Sequence, residues 1–284
     1  MSVLVILTLA EQTAPMSAPS LSSSSSVSGR TVLWVSAHPE PESLTGRLRR
    51  DGIEALSRRG HAVIQSDLYA MGWDPVVRAE NLDRRGTDAP VRVTAAGRRA
   101  QLEGAPCDDV AAEQEKLRGA DAVIVQFPLW WYGMPAMLKG WFDRVFVSGF
   151  AFGTDPVTGR RLRFEQGPFR GTRALVVTTL GDRPASIGPR GKGGELHELL
   201  FGLLHGTFAY TGMAPLSPWA LPSADFTDSE SYAAAAQSLA RRLEGIFDEA
   251  PLPYREQFTG DYTDQWELQP DVRPGETGLS VHLR

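Results

Sequence analysis

The chain has 284 residues, of which 42% are hydrophobic, 22% charged and 9% aromatic, and its formal net charge is −5. These proportions exclude a disordered or fibrous protein. No long basic stretch occurs, which argues against nucleic-acid binding. No apolar run approaches the roughly 20 residues that span a bilayer, which argues against membrane insertion. The single cysteine, Cys107, excludes an internal disulfide framework and is typical of a protein of the reducing cytoplasm.

The first thirty residues differ in composition from the rest of the chain. Residues 1–10 are apolar, and residues 11–30 are rich in Ser, Ala and Pro, with a serine run from Ser22 to Ser26. A signal peptide is one interpretation, but a basic segment before the apolar stretch is missing. We therefore expect residues 1–30 to form a disordered leader outside the fold.

The remainder alternates between strand-like and helix-like segments. Apolar, β-branched runs predict strands at 31–36, 61–67, 122–127 and 174–179, and helical spacing of apolar residues predicts helices at 43–59, 108–119, 135–147, 195–210 and 227–248. Continuous apolar strands separated by helices indicate an α/β fold with a doubly wound parallel sheet. Segments 72–107 and 150–170 are rich in Gly, Pro and Arg and are predicted to be long loops.

Ligands of such sheets bind beyond the carboxyl ends of the strands, so the residues after each strand are the candidates. The first strand is followed by a polar, proline-rich turn from His38 to Thr45. Ser43 and Thr45 would place hydroxyl and backbone N–H groups at a helix N-terminus, which suits a phosphate. Ser43 could equally be a simple helix cap, and the residue pattern leaves both interpretations open.

Three adjacent aromatic residues, Trp130, Trp131 and Tyr132, follow the third predicted strand. Because neighbouring side chains there point in different directions, at least one ring should line a cleft or a surface, where a flat heteroaromatic ligand could stack. An oligomer interface is the alternative.

The fourth predicted strand ends at Thr178 and Thr179 and leads into a glycine-rich loop through Gly194. Its hydroxyl and N–H groups could bind the polar edge of a flat ligand, and Arg190 and Lys192 could meet a phosphate or simply be solvated. The five histidines show no metal-ligand spacing, and neither an HExxH nor a GxSxG motif occurs, so we expect no metal site.

Several longer motifs resemble the NAD(P)H:quinone oxidoreductases of flavodoxin-like fold, the DT-diaphorase family. The most specific block is FPLWWYGMPAMLKGWFDRV at 127–145; the HPEPESLT turn at 38–45, SDLYAM at 66–71, GPF at 167–169 and GLSV at 278–281 continue the match. The resemblance implies a flavodoxin-like domain at 31–250, followed by a C-terminal extension at 251–284 that lies at the interface of a homodimer.

The resemblance also implies a tightly held flavin, expected to be FAD because of the long extension, with FMN as the alternative. It assigns cofactor contacts to His38, Ser43, Leu44 and Thr45 around the phosphates and ribityl chain, to Pro128, Leu129, Trp130, Trp131 and Tyr132 around the ring, and to Thr178, Thr179 and Gly181 at the polar edge. Trp131 and Tyr132 would be the catalytic pocket residues. The substrate pocket would comprise Trp131, Phe152, Ile187, Gly193 and Tyr210, with Tyr210 supplied by the other subunit.

The chain departs from the family in one respect. Members carry a tyrosine and, in eukaryotes, a histidine that are thought to relay a proton to the reduced flavin. Aligning the glycines places Ile187 and Gly193 at these two positions, so the usual pair is absent. Water, Arg190, Lys192 or His197 would have to supply the proton, and Ile187 would reshape the mouth of the pocket.

The function implied by the resemblance is a two-electron, ping-pong transfer of hydride from NADH or NADPH through the flavin to a quinone or related electrophilic aromatic acceptor, in the cytoplasm. The alternative is a flavin-binding ancillary subunit of a potassium-efflux system, in which catalysis is secondary or absent.

Overall fold

A computed structural model describes residues 29–82 and 90–284 of the chain. The leader predicted at residues 1–30 therefore lies almost entirely outside the described residues. The strands are β1 (Thr31–Ser36), β2 (Ala62–Asp67), β3 (Ala122–Pro128), β4 (Gly153–Thr154), β5 (Arg161–Leu162), β6 (Arg173–Thr179), β7 (Ala214–Pro215) and β8 (Trp219–Leu221). The helices are α1 (Leu44–Arg58), α2 (Ala79–Leu82), α3 (Val93–Leu102), α4 (Asp108–Arg118), α5 (Ala136–Val145), α6 (Leu196–Leu199), α7 (Phe201–Leu203) and α8 (Ser229–Glu244).

The main sheet has the order β2-β1-β3-β6, and the short strands β7 and β8 both pair with β6 at its outer edge. All of these pairings are parallel. Strand β2 is the neighbour of β1 on one side within the sheet, and the next strand along the chain, β3, is its neighbour on the other side. This order confirms the expected flavodoxin-like doubly wound fold, and it places the crevice for a ligand at the carboxyl ends of β1 and β3.

Helices cover both faces of the sheet and give it two hydrophobic cores. On one face, α1 and α8 bury Leu48, Leu56, Leu239 and Leu243 against β1, β3 and β6. On the other face, α4 and α5 pack Leu117, Trp141 and other apolar side chains against the same strands. Because β3 is buried on both sides, its seven residues are all buried, which explains why all of them except Gln126 are apolar.

Three parts of the chain differ from the sequence-based predictions. Segment 72–107 is not a single loop, because it contains α2 and α3, and segment 150–170 contains the β4–β5 hairpin. The helix predicted at 195–210 is divided into α6, α7 and a π-helix at Leu204–Ala209. The divisions fall at Leu200 and after Leu203.

The extension at 251–284 folds back onto the domain. Its backbone bonds to the sheet edge through Leu252 N–H and Pro215 O, and Arg255 N–H donates to His282 O near the end of the chain. A 3₁₀ turn spans Leu279–His282. Among the described helices, none has the length and apolar character needed to cross a membrane.

Candidate functional site

The turn after β1 leaves backbone donors free at the start of α1. Ser43 is the N-cap, and its Oγ accepts a 3.1 Å hydrogen bond from Gly46 N–H. In the described part of the chain, the N–H groups of Leu44 and Thr45 have no protein acceptor. Ser43 is thus a cap, and the helix N-terminus still offers two donors to an anion.

This turn approaches the helix so closely that one position requires glycine. A Cβ added at Gly46 would lie 2.0 Å from Pro41 O. His38 fixes the outer part of the turn, because its Nδ1 accepts a 3.0 Å hydrogen bond from Glu40 N–H. Below the turn, Arg49 pairs with Asp67 and donates to Ser36 Oγ at 2.8 Å. The floor of the turn therefore contains a cation whose charge is balanced by a neighbouring carboxylate.

A buried polar network joins this turn to the centre of the sheet. Gln126 is fully buried in β3; its Nε2 donates to Thr45 O at 2.9 Å and its Oε1 accepts from Trp34 Nε1 at 2.9 Å. Thr45 Oγ1 and Thr179 Oγ1 are hydrogen-bonded at 2.9 Å. The first turn of α1 and the end of β6 are thereby held together across the end of β3.

The aromatic loop after β3 has an unusual backbone. Pro128 and Leu129 are buried, whereas the side chain of Trp131 is 100% exposed and Trp130 and Tyr132 are each about half exposed. Trp131 and Tyr132 adopt φ values of 51° and 56°. Two consecutive non-glycine residues in the left-handed region are strained, and such strain concentrates at functional sites.

The same loop contacts the turn after β1. The rings of Trp130 and His38 lie 6.3 Å apart, and Leu129 N–H donates to Thr179 O at 2.8 Å. The structure therefore brings together the three segments that the sequence analysis singled out, which follow β1, β3 and β6.

The loop after β6 contributes a carboxylate that the sequence analysis did not identify. Tyr132 Oη donates a 2.6 Å hydrogen bond to Asp182 Oδ2, and Ser186 Oγ donates to the same oxygen at 3.2 Å. These bonds, with the charge of Lys192, hold the pKa of Asp182 below its usual value, and the carboxylate raises the pKa of Tyr132. Gly193 lies against this pair, since an added Cβ would be 3.1 Å from Tyr132 Oη.

Ile187 is buried, and its side chain packs in the hydrophobic core beside the sheet. His197 is occupied, because its Nδ1 is 2.8 Å from Glu195 Oε1 and its Nε2 is 3.0 Å from Ser217 Oγ. Next to Ile187 in sequence, Ser186 is bonded to Asp182.

At the end of the β6 strand, the hydroxyl of Thr178 is partly occupied by the protein itself. Thr178 Oγ1 donates to Phe127 O at 2.8 Å, so this hydroxyl is left with acceptor capacity only. Gly181 lies beside Asp225, because a Cβ added at Gly181 would be 2.8 Å from Asp225 Oδ2. A side chain at position 181 would therefore crowd this edge of the site.

A cavity of about 630 Å³ adjoins the aromatic loop. Gly133 and Met134 line it directly after Tyr132, and Phe152 and Tyr210, whose ring centres are 6.0 Å apart, line it on the opposite side. Phe152 and Tyr210 are thus brought together within one chain.

Two of the site residues carried a signal in the sequence. Gln126 is the one polar residue in the predicted strand at 122–127, and a buried amide in such a strand needs partners. Asp182 follows the Thr178–Gly181 segment directly. The structure places no group of three or more His, Cys, Asp or Glu side chains suited to a metal ion among the residues it describes.

Comparisons with known proteins show the family and the fold of this chain. A family model described as "Flavodoxin-like fold" matches residues 30–243. The chain is 39% identical over 257 residues to a ribosyldihydronicotinamide dehydrogenase-like protein of Penicillium crustosum, covering 89% of this chain and 95% of that protein. It is 31% identical over 263 residues to NAD(P)H dehydrogenase [quinone] 1 of Rattus norvegicus, covering 89% and 92%. The crystal structure of a protein described as a quinone reductase from Klebsiella pneumoniae matches with a TM-score of 0.84 and 39% identity, over 90% of this chain and 100% of that one.

Proposed function

This chain belongs to the flavodoxin-like family and, within it, to the NAD(P)H:quinone oxidoreductases, and from that premise we propose that it transfers a hydride from NADH or NADPH, through bound FAD, to a quinone or a related electrophilic aromatic acceptor. It is an oxidoreductase. The proposal includes a cytoplasmic homodimer with the 251–284 extension at its interface. The observation that carries it is the hydrogen bond between Thr45 and Thr179, which assembles the expected flavin-binding segments at one edge of the sheet.

The residues at this edge fit a flavin. The free N–H groups of Leu44 and Thr45 suit its phosphates, because a helix N-terminus attracts anions. Gly46 gives the turn the close backbone approach that a phosphate cradle needs. The exposed ring of Trp131 offers a stacking surface. When bound, the flavin would accept a hydride from the nicotinamide and pass it to the acceptor.

We assign the protein groups the following roles. His38, Ser43, Leu44 and Thr45 would hold the phosphates and ribityl chain; Pro128, Leu129, Trp130, Trp131 and Tyr132 would hold the ring; and Thr178, Thr179 and Gly181 would bind its polar edge. These groups bind and orient, which supplies much of the rate in a cofactor enzyme. Phe152 and Tyr210 would exclude water from the acceptor and pack against it in the 630 Å³ cavity.

Proton handling in this site differs from that of relatives with a Tyr–His pair. Neither Ile187 nor Gly193 carries an exchangeable side-chain proton. Tyr132 keeps its phenolic proton directed at Asp182 Oδ2, and Ser186 directs its proton at the same atom. We therefore assign Asp182 and Ser186 as positioning residues that fix Tyr132 at the edge of the site, and water as the source of the proton.

The reaction is tested with the purified full-length protein. We expect the protein to be yellow, to release FAD on heating, and to oxidise NADH or NADPH only when a quinone is present. Size-exclusion chromatography with light scattering is expected to show a dimer. Bound flavin without turnover on any acceptor of a quinone, azo and nitroaromatic panel would refute the enzymatic proposal, and released FMN would refute the choice of FAD.

A pair of matched variants tests the location of the flavin. Thr179→Val removes the hydroxyl that joins β6 to α1, so we expect flavin retention to fall. Thr172→Val removes a hydroxyl that donates to Ala120 O at 3.3 Å, at the amino end of the same strand. We expect normal retention in that control. Equal flavin retention in the two variants would place the cofactor elsewhere.

A further inference from the structure

The glycine-rich loop after β6 carries positive charge to which the proposed reaction gives no role. Residues 183–194 include Arg183, Arg190 and Lys192 but no aspartate or glutamate, although the whole chain has a formal net charge of −5. All three side chains are exposed. They form a local cationic patch, and we call these three residues the loop cations.

The protein itself does not neutralise the loop cations. In the part of the chain that the structure describes, none of their side chains makes a hydrogen bond or an ion pair with another residue. The carboxylate that precedes the loop, Asp182, already accepts hydrogen bonds from Tyr132 and Ser186. The carboxylate that follows it, Glu195, accepts from His197 N–H at 2.9 Å and caps α6. The charge of the patch therefore stays available to an anionic ligand.

The backbone that carries two of these cations is a compact, hydrogen-bonded turn. Gly193 N–H donates to Ser186 O at 2.9 Å, which closes the loop on itself. A Cβ added at Gly191 would lie 2.0 Å from Ser186 O, so this position requires glycine. Arg190 and Lys192 directly flank Gly191. A ligand would therefore have to order only their side chains and not the loop, which reduces the entropic cost of binding.

The loop cations border the proposed flavin site. A Cβ added at Gly193 would be 3.1 Å from Tyr132 Oη, so the loop touches the aromatic segment after β3. Lys192 is close enough to Asp182 for its charge to contribute to the lowered pKa of that carboxyl. The patch therefore stands where it can meet the part of a bound dinucleotide that extends away from the flavin ring.

We propose that the loop cations bind the 2′-phosphate of NADPH and so make NADPH, rather than NADH, the preferred hydride donor. This inference rests on the proposed function, because it concerns the donor of that reaction. The two dinucleotides differ only in this phosphate, and a phosphomonoester carries a charge of about −1.5 to −2 near pH 7. Guanidinium groups bind a phosphate through paired N–H donors, and an ammonium group adds a point charge.

NADP⁺ and NAD⁺ are the two probes, titrated calorimetrically into the flavin-loaded protein; both are oxidised, so no turnover interferes. We expect NADP⁺ to bind about tenfold tighter at low ionic strength, and the difference to shrink in salt because exposed charges are screened. Arg190→Gln should reduce this preference about threefold. The matched control Arg170→Gln neutralises an exposed arginine in the turn before β6, at the opposite end of that strand, and should keep the preference.

Equal affinities for NADP⁺ and NAD⁺ in the unaltered protein, or no saturable binding of NADP⁺, would overturn the inference whatever the variants do. So would an equal change of the preference in Arg190→Gln and Arg170→Gln. The ratio of kcat/KM for NADPH to that for NADH should follow the binding preference. Quinone reduction that is equally efficient with both donors would leave the proposed function standing and refute only this inference, whereas bound flavin without turnover refutes the proposed function itself.

Discussion

Tyr132 and Asp182, which follow different strands of the sheet, are joined by a 2.6 Å hydrogen bond from the phenol to the carboxylate. The bond links the aromatic loop after β3 to the glycine-rich loop after β6. Ser186 donates to the same carboxylate oxygen. The two loops that border the proposed flavin site are therefore positioned by each other.

Tyr132→Phe removes this link. Because the hydrogen bond from Tyr132 is the main cause that lowers the pKa of Asp182, we expect that pKa to rise toward its ordinary value in the variant. Because Asp182 is assigned to act through this bond, the loss of activity that its protonation causes on the acid side of the pH profile should be weaker in the variant. NMR titration of the Asp182 carboxyl and a pH profile of kcat/KM measure the two effects.

A second tyrosine–aspartate pair provides the control. Tyr232 donates to Asp51 Oδ2 at 2.6 Å between α8 and α1, away from the loops of the site. We expect Tyr232→Phe to leave the pH profile unchanged. If both variants shift the profile alike, or if neither does, Asp182 has no positioning role.

Trp131→Ala tests the stacking surface. Since the side chain is fully exposed in the single chain, its loss should leave the urea midpoint of the flavin-free protein nearly unchanged. Loss of ring stacking should raise KM for an aromatic acceptor by about tenfold. Trp131→Phe should recover most of the loss, and a large fall in the urea midpoint would instead make Trp131 a structural residue.

A tyrosine introduced into the glycine-rich loop should have different effects on stability and on quinone reduction at positions 186 and 187. Ile187 is buried in the core, so Ile187→Tyr should destabilise the fold by about 1–3 kcal/mol through overpacking. Ser186 is partly exposed and bonded to Asp182, so Ser186→Tyr should fold and should raise quinone reduction if the missing relay limits the rate. Urea denaturation and stopped-flow reduction measure these outcomes; unchanged rates would mean that the relay is not limiting.

Gln126→Leu tests the buried network. The change removes the acceptor of Trp34 Nε1 and the donor to Thr45 O, leaving two buried groups unpaired. We expect the free energy of unfolding to fall by about 2–5 kcal/mol, together with weaker flavin retention. Gln65→Leu, at an exposed position of β2, is the matched control and should change stability little.

Burial of His205 makes stability depend on pH. The pKa of His205 is lowered to about 4, chiefly by burial and also by His282, whereas an unfolded histidine titrates near 6.5. Between these values the unfolded chain binds more protons, so stability falls as the pH drops from about 7 to about 4, by at most about 3 kcal/mol. Urea unfolding at pH 7 and pH 5 measures the loss, and His205→Phe should reduce it.

Much of the sheet could be predicted because its strands are buried on both faces. The runs at 31–36, 122–127 and 174–179 are apolar and β-branched, and each coincides closely with an observed strand. The short strands β7 and β8 escaped prediction, since Ala214–Pro215 and Trp219–Leu221 are too brief for a period. Helix α3 was missed because its buried residues, Ala96 and Gly97, are too small to give a clear apolar period beside its arginines.

The site was predictable in its segments but not in its contacts. Parallel strands end at one edge, so the segments after β1, β3 and β6 had to meet there. The bond between Tyr132 and Asp182 depends on left-handed backbone at Trp131 and Tyr132, which these residue types rarely adopt. The loop positions of Ile187 and Ser186 could not be told apart from glycine spacing, because the 3₁₀ turn at Pro184–Ile187 decides which of the two side chains is buried.

The left-handed backbone at Trp131 and Tyr132 lowers the stability of the fold, while the side chains of the two residues are proposed to serve the reaction. Each non-glycine residue in that region costs about 1–2 kcal/mol relative to ordinary backbone, whereas glycine adopts it freely. Selection for thermal tolerance alone would therefore tend to replace these two aromatics by glycine, and selection for turnover would retain them. The loop marks the part of the molecule where a more stable variant is expected to be a poorer catalyst.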